Sequence, residues 1–380
     1  MQVPVRLTVL LRPTIAPGVL LAVAFSTLVL SATPFLLDLV VDEYSIGLTV
    51  ASLIGVAQLG GFMLASWGAG RFLRPRRRVF VAAMVLAVVA NGLSVLLPPY
   101  AILVLLRFAS GLALGAISWF AWVQVFGDKR GMADVAVMGP LAGVLSAPVI
   151  GACVAQGGAP AVFALLAVVA TVPLLLNRGT GATDTVAPSG PRSRPVPAAA
   201  IMLGALALFG LGGSSVFQYS VVVGTGEVGL TTGTMATLFS VNALVAIPAA
   251  KWPWSRGLPG PWMGVTALCA LILMTADVPA LFGGALIVWG FAFWMAIPGV
   301  FTALAERSAN PADRAGDAQT VMAAGRIVGP FMGGAVIDGF GPTWLGIIGG
   351  GLMLIAGVAV FAVRTTVAPT ADPDEARLDA

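Results

Sequence analysis

Two arginines stand inside long apolar segments, where a charged side chain is costly. Arg107 lies within the segment 100–123 and Arg326 within the segment 318–338. An arginine near the centre of a bilayer costs at least about 2.5–3.5 kcal/mol on insertion scales. We therefore expect Arg107 to face a cavity, where it binds substrate or balances its charge, and snorkelling toward headgroups is the alternative. Arg326 is expected to pair with backbone carbonyls or to line an inner vestibule.

Trp289 and Phe293 are the aromatic residues best placed to contact a small molecule. They are four residues apart, so both rings lie on one face of a helix. Aromatic rings stack on apolar or cationic compounds. The alternative for a tryptophan in a membrane helix is lipid contact or anchoring at the interface.

Groups for proton transfer and metal binding are scarce. The chain has no histidine, and its two cysteines, Cys153 and Cys269, lie in separate apolar segments. We expect no metal site and no cofactor, and an enzyme is disfavoured because catalysis needs a cluster of acids, bases or metal ligands. The nucleotide motif Gly-x-x-x-x-Gly-Lys-Ser/Thr is missing from the sequence, which disfavours ATP-driven pumping. Asp38 is the best candidate for proton coupling, and an ordinary interfacial residue is an equally good interpretation.

The segments that carry these residues have the composition of a membrane protein. Apolar residues make up 58% of the chain and charged residues 9%, whereas a soluble domain carries about 25% charged residues. Apolar runs of about twenty residues, the length that crosses a bilayer, recur along the chain. We predict an all-α membrane protein with twelve transmembrane helices, at 15–37, 47–69, 78–97, 100–123, 133–155, 160–177, 198–222, 231–250, 261–277, 280–304, 318–338 and 343–363.

A segment rich in Gly, Pro, Ser and Thr divides the predicted helices into two sets of six. The predicted organisation is an N-terminal six-helix bundle (1–177), a flexible linker (178–197), a C-terminal six-helix bundle (198–364) and a tail (365–380). The linker, the tail and both termini are expected to be cytoplasmic.

The placement of basic residues supports this orientation. With a cytoplasmic N-terminus, eighteen of the twenty Lys and Arg residues fall in inside loops or termini and none in outside loops, as the positive-inside rule requires. Such clusters orient a membrane protein, so nucleic acid is not an expected partner. One cluster forms a cytoplasmic basic loop between the second and third predicted helices: Arg71, Arg74, Arg76, Arg77 and Arg78.

An internal repeat with a spacing of 182 residues relates the two halves. It places Pro148 on Pro330, and it places Arg107 opposite Trp289. Because an offset of six helices keeps the orientation, the halves are expected to be parallel repeats. A proline bends a helix and small neighbours allow close packing, so paired kinks could gate movement of the halves, with static packing as the alternative. The candidate gating residues are Gly143, Pro148, Gly151, Gly329, Pro330 and Gly333.

Three motifs resemble those of major facilitator superfamily transporters. Arg107 followed by Gly111 and Gly115 resembles the conserved motif of the fourth helix. Ala147 and Pro148 resemble the fifth-helix motif of the antiporter branch, the drug and metabolite exporters, with alanine in place of the usual glycine. The basic loop resembles a third motif, but Gly70 stands where the family has an acidic residue that latches the cytoplasmic side.

The resemblance implies a function and a location. A family member would be an alternating-access secondary transporter in the cell membrane, here a bacterial plasma membrane, that exports small organic compounds, with protons as the candidate coupling ion. Helices 1, 4, 7 and 10 line the family's cavity, which adds Gln218 and Tyr219 to the substrate candidates Arg107, Trp289 and Phe293. The expected partners are the lipid bilayer and a small molecule, and the expected state is a monomer. Uptake of a neutral or anionic solute is the alternative, and a receptor or scaffold without transport is less favoured.

Overall fold

A computed structural model of the chain describes residues 15–125, 129–176, 195–251, 259–307 and 311–366. The regular secondary structure within these ranges is entirely α-helical, as predicted. The predicted linker before residue 195 and the predicted tail after residue 366 lie outside the described residues. The helices are α1 (Pro17–Tyr44), α2 (Leu48–Ala51), α3 (Leu53–Phe72), α4 (Arg77–Ser94), α5 (Tyr100–Val125), α6 (Lys129–Leu175), α7 (Pro197–Gly226), α8 (Thr232–Lys251), α9 (Pro259–Thr275), α10 (Pro279–Glu306), α11 (Pro311–Phe340) and α12 (Pro342–Thr366).

Proline marks where many of these helices begin. It suits the first helical position, since its fixed φ is already helical and its missing N–H would have no partner there. The helices α1, α7, α9, α10, α11 and α12 begin at Pro17, Pro197, Pro259, Pro279, Pro311 and Pro342.

Helix α1 is longer than the predicted segment 15–37. It continues to Tyr44 and ends at Ser45, which adopts the left-handed conformation with φ 51°. Residues 38–44 contain neither glycine nor proline, so no residue there interrupts the helix. Asp38, which the predicted segment 15–37 leaves just beyond the helix, therefore lies inside α1.

Ten helices in the described ranges are long and apolar enough to cross a membrane. One of them spans Leu48–Ala69 and so combines α2 with most of α3. Helix α9, with 17 residues, is also apolar but shorter. These features confirm an all-helical membrane protein, while the count of twelve spans stays a prediction.

Helix α6 covers two predicted helices, 133–155 and 160–177, in a single element of 47 residues. Its backbone is not helical at Gly157 (φ −159°, ψ 17°) and Gly158 (φ 59°, ψ −147°). A positive φ combined with that ψ is accessible essentially to glycine alone. The interruption falls between the two predicted helices.

The chain forms two compact units. The first comprises Met1–Pro188 with Thr231–Leu244, and the second comprises Ser189–Leu230 with Val245–Ala380. About the first two thirds of α8 thus belong to the first unit, whereas the sequence places all of it in the C-terminal bundle.

In the first unit, α5 packs against α3 and α4, while α6 packs against α1 and α4. Glycines bring α3 and α5 into backbone contact, as the fourth-helix motif suggests. A Cβ atom at Gly111 would overlap the carbonyl oxygen of Gln58, and one at Gly115 would overlap that of Phe62. Ser66 Oγ donates to the carbonyl of Gly115 at 3.2 Å.

In the second unit, α7 packs against α11 and α12, and α9 packs against α10 and α12. The contact between α7 and α11 follows a stripe of glycines, Gly325, Gly329 and Gly333, at intervals of four residues. A Cβ atom at Gly325 or Gly333 would come within 2.7 Å of an α7 carbonyl oxygen or ring atom, and one at Gly329 would overlap Ser214 Oγ. This stripe fixes the register of α11 on α7.

Candidate substrate site

The structure places Arg107 in the interior of the first unit. Its side chain is 1% exposed. One terminal nitrogen donates to Asn91 Oδ1 at 3.0 Å, and the other donates to Ser94 Oγ at 2.8 Å and the carbonyl of Ala90 at 3.4 Å. The guanidinium carbon lies 4.7 Å from the centroid of the Phe163 ring, a cation–π contact.

This environment holds the Arg107 side chain between α4, α5 and α6. The guanidinium is directed into the helices, which is not the arrangement that snorkelling would give. Asn91 and Ser94 are held in turn, since each donates to a carbonyl one turn earlier in α4 at 2.7 Å. Among the described residues the Nε atom of Arg107 has no hydrogen-bond partner. Substrate binding by Arg107 stays a prediction.

The aromatic pair of the sequence analysis lies in α10 of the second unit. Trp289 is 4% exposed and its ring centroid is 5.8 Å from that of Phe217 in α7. Phe293, one turn further along α10, stacks on Phe209 of α7 at 5.7 Å with the rings 22° apart. Gly213 lies between Phe209 and Phe217 in α7. A Cβ atom built on Gly213 would be 3.8 Å from the Trp289 ring. The predicted aromatic face of α10 is thus continued by rings from α7.

Gln218 and Tyr219 stand next to Phe217 in α7 but have different environments. Tyr219 is fully buried, and its hydroxyl donates to the carbonyl of Pro330 at 2.6 Å. Its ring also packs against Gly333. Tyr219 therefore joins α7 to the proline of α11. Gln218 is half-buried, and its Nε2 atom has no hydrogen-bond partner among the described residues.

The candidate gating glycines have different neighbours in the two repeats. In α6, Cβ atoms built at Gly143 and Gly151 approach Ala243 and Ala236 of α8 at 3.1 and 2.8 Å. Ser240 of α8 also donates to the carbonyl of Val144 at 2.7 Å. The equivalent glycines of α11 face α7. Gly143 and Gly151 therefore contact α8, whereas their equivalents Gly325 and Gly333 contact α7. The 182-residue repeat does not relate α8 to α7.

The proton-coupling candidate and the basic loop both belong to the first unit. Asp38 is half-buried in the last third of α1. The loop between α3 and α4 exposes Arg74 and Arg76, and Arg77 and Arg78 are exposed in the first turn of α4. Arg71 lies at the end of α3.

A cavity of about 290 Å³ opens in the first unit between α1 and α6. Its lining is apolar apart from Ser146. The substrate candidates Arg107, Gln218, Tyr219, Trp289 and Phe293 do not contribute to it.

Several residues of these clusters were missed by the sequence analysis. Asn91 and Ser94 are three residues apart on one face of a helix that forms a hairpin with the helix of Arg107, and that spacing could have identified them. Phe209 and Phe217 are spaced by two helical turns in α7, as a ring-bearing face requires. Nothing in the sequence indicates that Phe163 lies on Arg107, because that contact joins distant parts of the chain.

Residues 19–326 match the family model of the Major Facilitator Superfamily. No curated protein matches the sequence at a significant level. Solved structures with a similar fold include the human organic anion transporter MFSD10 (TETRAN), with a TM-score of 0.63 and 14% identity over 90% of this chain and 97% of that one. The nucleoside transporter NupG gives 0.68 and 12% over 91% and 98%. A bacterial homolog of the human lysosomal transporter Spinster gives 0.63 and 13% over 93% and 96%.

At these identities the structures show a shared fold, and the family model covers most of the chain. The helices, the candidate spans and the family match agree with one another. The chain belongs to the major facilitator superfamily, and it is a membrane transport protein rather than an enzyme.

Proposed function

We propose that the chain is an alternating-access secondary transporter of the antiporter branch that exports small organic compounds from a bacterial cell through the plasma membrane. The observation that carries this proposal is the aromatic cluster of α7 and α10, defined here as Phe209, Phe217, Trp289 and Phe293. The half-buried rings of Phe217 and Phe293 offer an apolar surface for a ring-bearing compound, and the buried rings of Trp289 and Phe209 stack against them. The unpartnered amide of Gln218 beside them supplies a donor that can orient such a compound.

The proposed topology has twelve spans with both termini cytoplasmic. The interruption of α6 at Gly157 and Gly158 supports two spans within that element. The 17 residues of α9 supply about 25 Å of helix, which is close to the thickness of the hydrocarbon core. The distribution of Lys and Arg supports the orientation.

Asp38 is the proposed proton-coupling residue. It is the candidate because it is a half-buried carboxylate inside the apolar helix α1, and carboxylates within the membrane serve as proton relays. Protons would return to the cell as the compound leaves, and the monomer would be the working unit.

Transport into inverted membrane vesicles tests this function. The vesicles are supplied with a panel of small aromatic compounds, and uptake is measured with and without a proton gradient. Accumulation that collapses with the gradient is expected for an exporter. Accumulation only in right-side-out vesicles would favour uptake instead, and indifference to the gradient would refute proton coupling.

Trp289→Ala and Phe293→Ala are expected to raise KM for an accumulated aromatic compound roughly tenfold, because each removes a ring from the aromatic cluster. Trp344→Ala is the matched control, since Trp344 is an exposed tryptophan of α12. Initial rates at varied concentration give KM. If all three variants behave as the unmodified protein does, the aromatic cluster does not bind substrate.

A further inference from the structure

Arg326 projects from the packed face of α11, yet its side chain is exposed. At about 100° per residue, the exposed residues between Val321 and Asp338, apart from Arg326, follow one stripe of the helix. That stripe consists of Ala324, Val328, Phe331, Ala335 and Asp338. Arg326 lies on the opposite side, between the buried residues Met322, Gly329, Pro330 and Gly333. Its exposure therefore marks an opening on the packed face, distinct from the outer face that would meet lipid.

Helix α7 presents a polar stripe next to this opening. The stripe consists of Ser214 and Gln218, which are half-buried like the neighbouring Leu211 and Phe217, whereas the residues between Leu211 and Ser214 and between Ser214 and Phe217 are buried. Ser214 Oγ lies 3.5 Å from the carbonyl oxygen of Gly325, the residue before Arg326. The polar stripe of α7 and the base of the Arg326 side chain are therefore neighbours.

The register of the two helices sets the height of Gln218. The contacts Ser214–Gly325 and Tyr219–Pro330 both join residues 111 positions apart, so α7 and α11 run in the same direction without slipping. Gln218 is then level with Gly329, about 4.5 Å along the axis from Arg326. An arginine side chain can span that distance.

Both groups have donors to spare. Within the described parts of the chain, Arg326 makes no hydrogen bond or ion pair. Gln218 Nε2 is enclosed there without an acceptor. A guanidinium is a planar fork of donors that matches a carboxylate or phosphate. An amide N–H beside it would bind a further oxygen of the same group. An unpaired guanidinium within an apolar helix is energetically costly, and binding of an anionic group would reduce that cost.

We infer that Arg326 and Gln218 bind the anionic group, a carboxylate or a phosphate, of the transported compound. This inference rests on the proposed transport function and specifies its substrate class. The aromatic cluster would hold the apolar part of the compound, since Phe217 directly precedes Gln218 in α7. Arg326 was not among the substrate residues predicted from the sequence.

The local charge can be measured without knowing the substrate. In a background with Cys153→Ser and Cys269→Ala, Gln218→Cys is treated with an anionic sulfonatoethyl and a cationic trimethylammonioethyl methanethiosulfonate. The ratio of the anionic to the cationic rate is expected to fall roughly tenfold when Arg326→Gln is added. Arg326→Lys should preserve the ratio, and Arg74→Gln, in the exposed loop, should leave it unchanged because that charge is screened. An unchanged ratio in Arg326→Gln, or no reaction of the introduced thiol with either reagent, would overturn the inference.

Ligand protection separates this inference from the proposed function. Indole-3-acetate should slow the labelling of the thiol introduced by Gln218→Cys, while indole-3-acetamide at the same concentration should not, and the difference should vanish in Arg326→Gln. Equal protection by the acid and the amide refutes an anion site, even if the aromatic variants raise KM as proposed. Selective protection by the acid in a protein without transport would refute the proposed function and keep the anion site.

Discussion

The two arginines within apolar helices, Arg107 and Arg326, have different environments. Arg107 is surrounded by acceptors and an aromatic ring, so its charge is compensated within the first unit. Arg326 has no such compensation among the described residues and projects into an opening. The sequence shows that both arginines lie in apolar segments, but it cannot distinguish these environments, because the partners of Arg107 come from other helices.

Ser94 tests how strongly the compensation of Arg107 stabilises the fold. Ser94→Ala removes an acceptor of the guanidinium and is expected to lower the free energy of unfolding by about 1–2 kcal/mol. Ser110→Ala is the matched control, because Ser110 is equally buried in α5 and its hydroxyl has no partner among the described residues. Thermal unfolding in detergent gives both values. Equal unfolding temperatures for the two variants would contradict a stabilising role.

Tyr219 is a predicted substrate residue whose hydroxyl bonds to another helix of the same unit. The sequence suggests a substrate ligand, because it lies in a helix expected to line the cavity. The structure directs its hydroxyl to the carbonyl of Pro330. Its position in a helix was predictable from hydropathy, whereas its hydrogen bond depends on the rotation of α7 against α11, which no local pattern specifies.

At the scale of elements, the packing of α11 on α7 depends on residues without side chains. Glycines at intervals of four bring the backbones together, and the sequence alone indicates that such a stripe should pack closely. It does not indicate which neighbour the stripe contacts. In α6 the equivalent glycines meet α8, and in α11 they meet α7. The repeat predicts that the two helices are similar, but it does not predict that they pack against different neighbours.

Gly329→Ala is expected to destabilise the second unit by about 1–3 kcal/mol, because the new methyl group would overlap Ser214 Oγ and approach the carbonyl of Leu211. Gly284→Ala in α10 has open space around it and should be neutral or slightly stabilising. Thermal unfolding of the two purified variants is the measurement. A similar loss in both would mean that helix propensity, rather than close packing, determines the effect.

At the scale of the whole molecule, composition and hydropathy suffice for the fold class. The all-helical membrane fold was predictable, because apolar length and charge distribution are properties of the chain itself. The superfamily was predictable only from the resemblance of three motifs to those of its members. The number of spans is harder to predict. Gly157 and Gly158 interrupt α6 where the sequence predicts a turn between two helices, but α6 is otherwise continuous.

Reporter fusions test the twelve-span topology. Alkaline phosphatase is active only outside the cytoplasm, so fusions after Gly158 and after Asp277 are expected to be active and one after Arg76 inactive. Green fluorescent protein fused after Arg76 serves as the complementary control and should fluoresce. An inactive phosphatase after Gly158 would mean that α6 does not cross the membrane twice, and the predicted positions of all later loops would then be reversed.

The interruption of α6 also limits how the chain can change in length. It involves no more than two residues, so it contains no slack that could absorb an insertion or a deletion. One added residue would rotate everything after it by about 100° around the helix axis. Phe163, which follows the interruption closely, would then turn away from the guanidinium of Arg107. A change in a short turn would thus remove the aromatic contact of an arginine in the interior of the first unit and leave only its hydrogen bonds to α4.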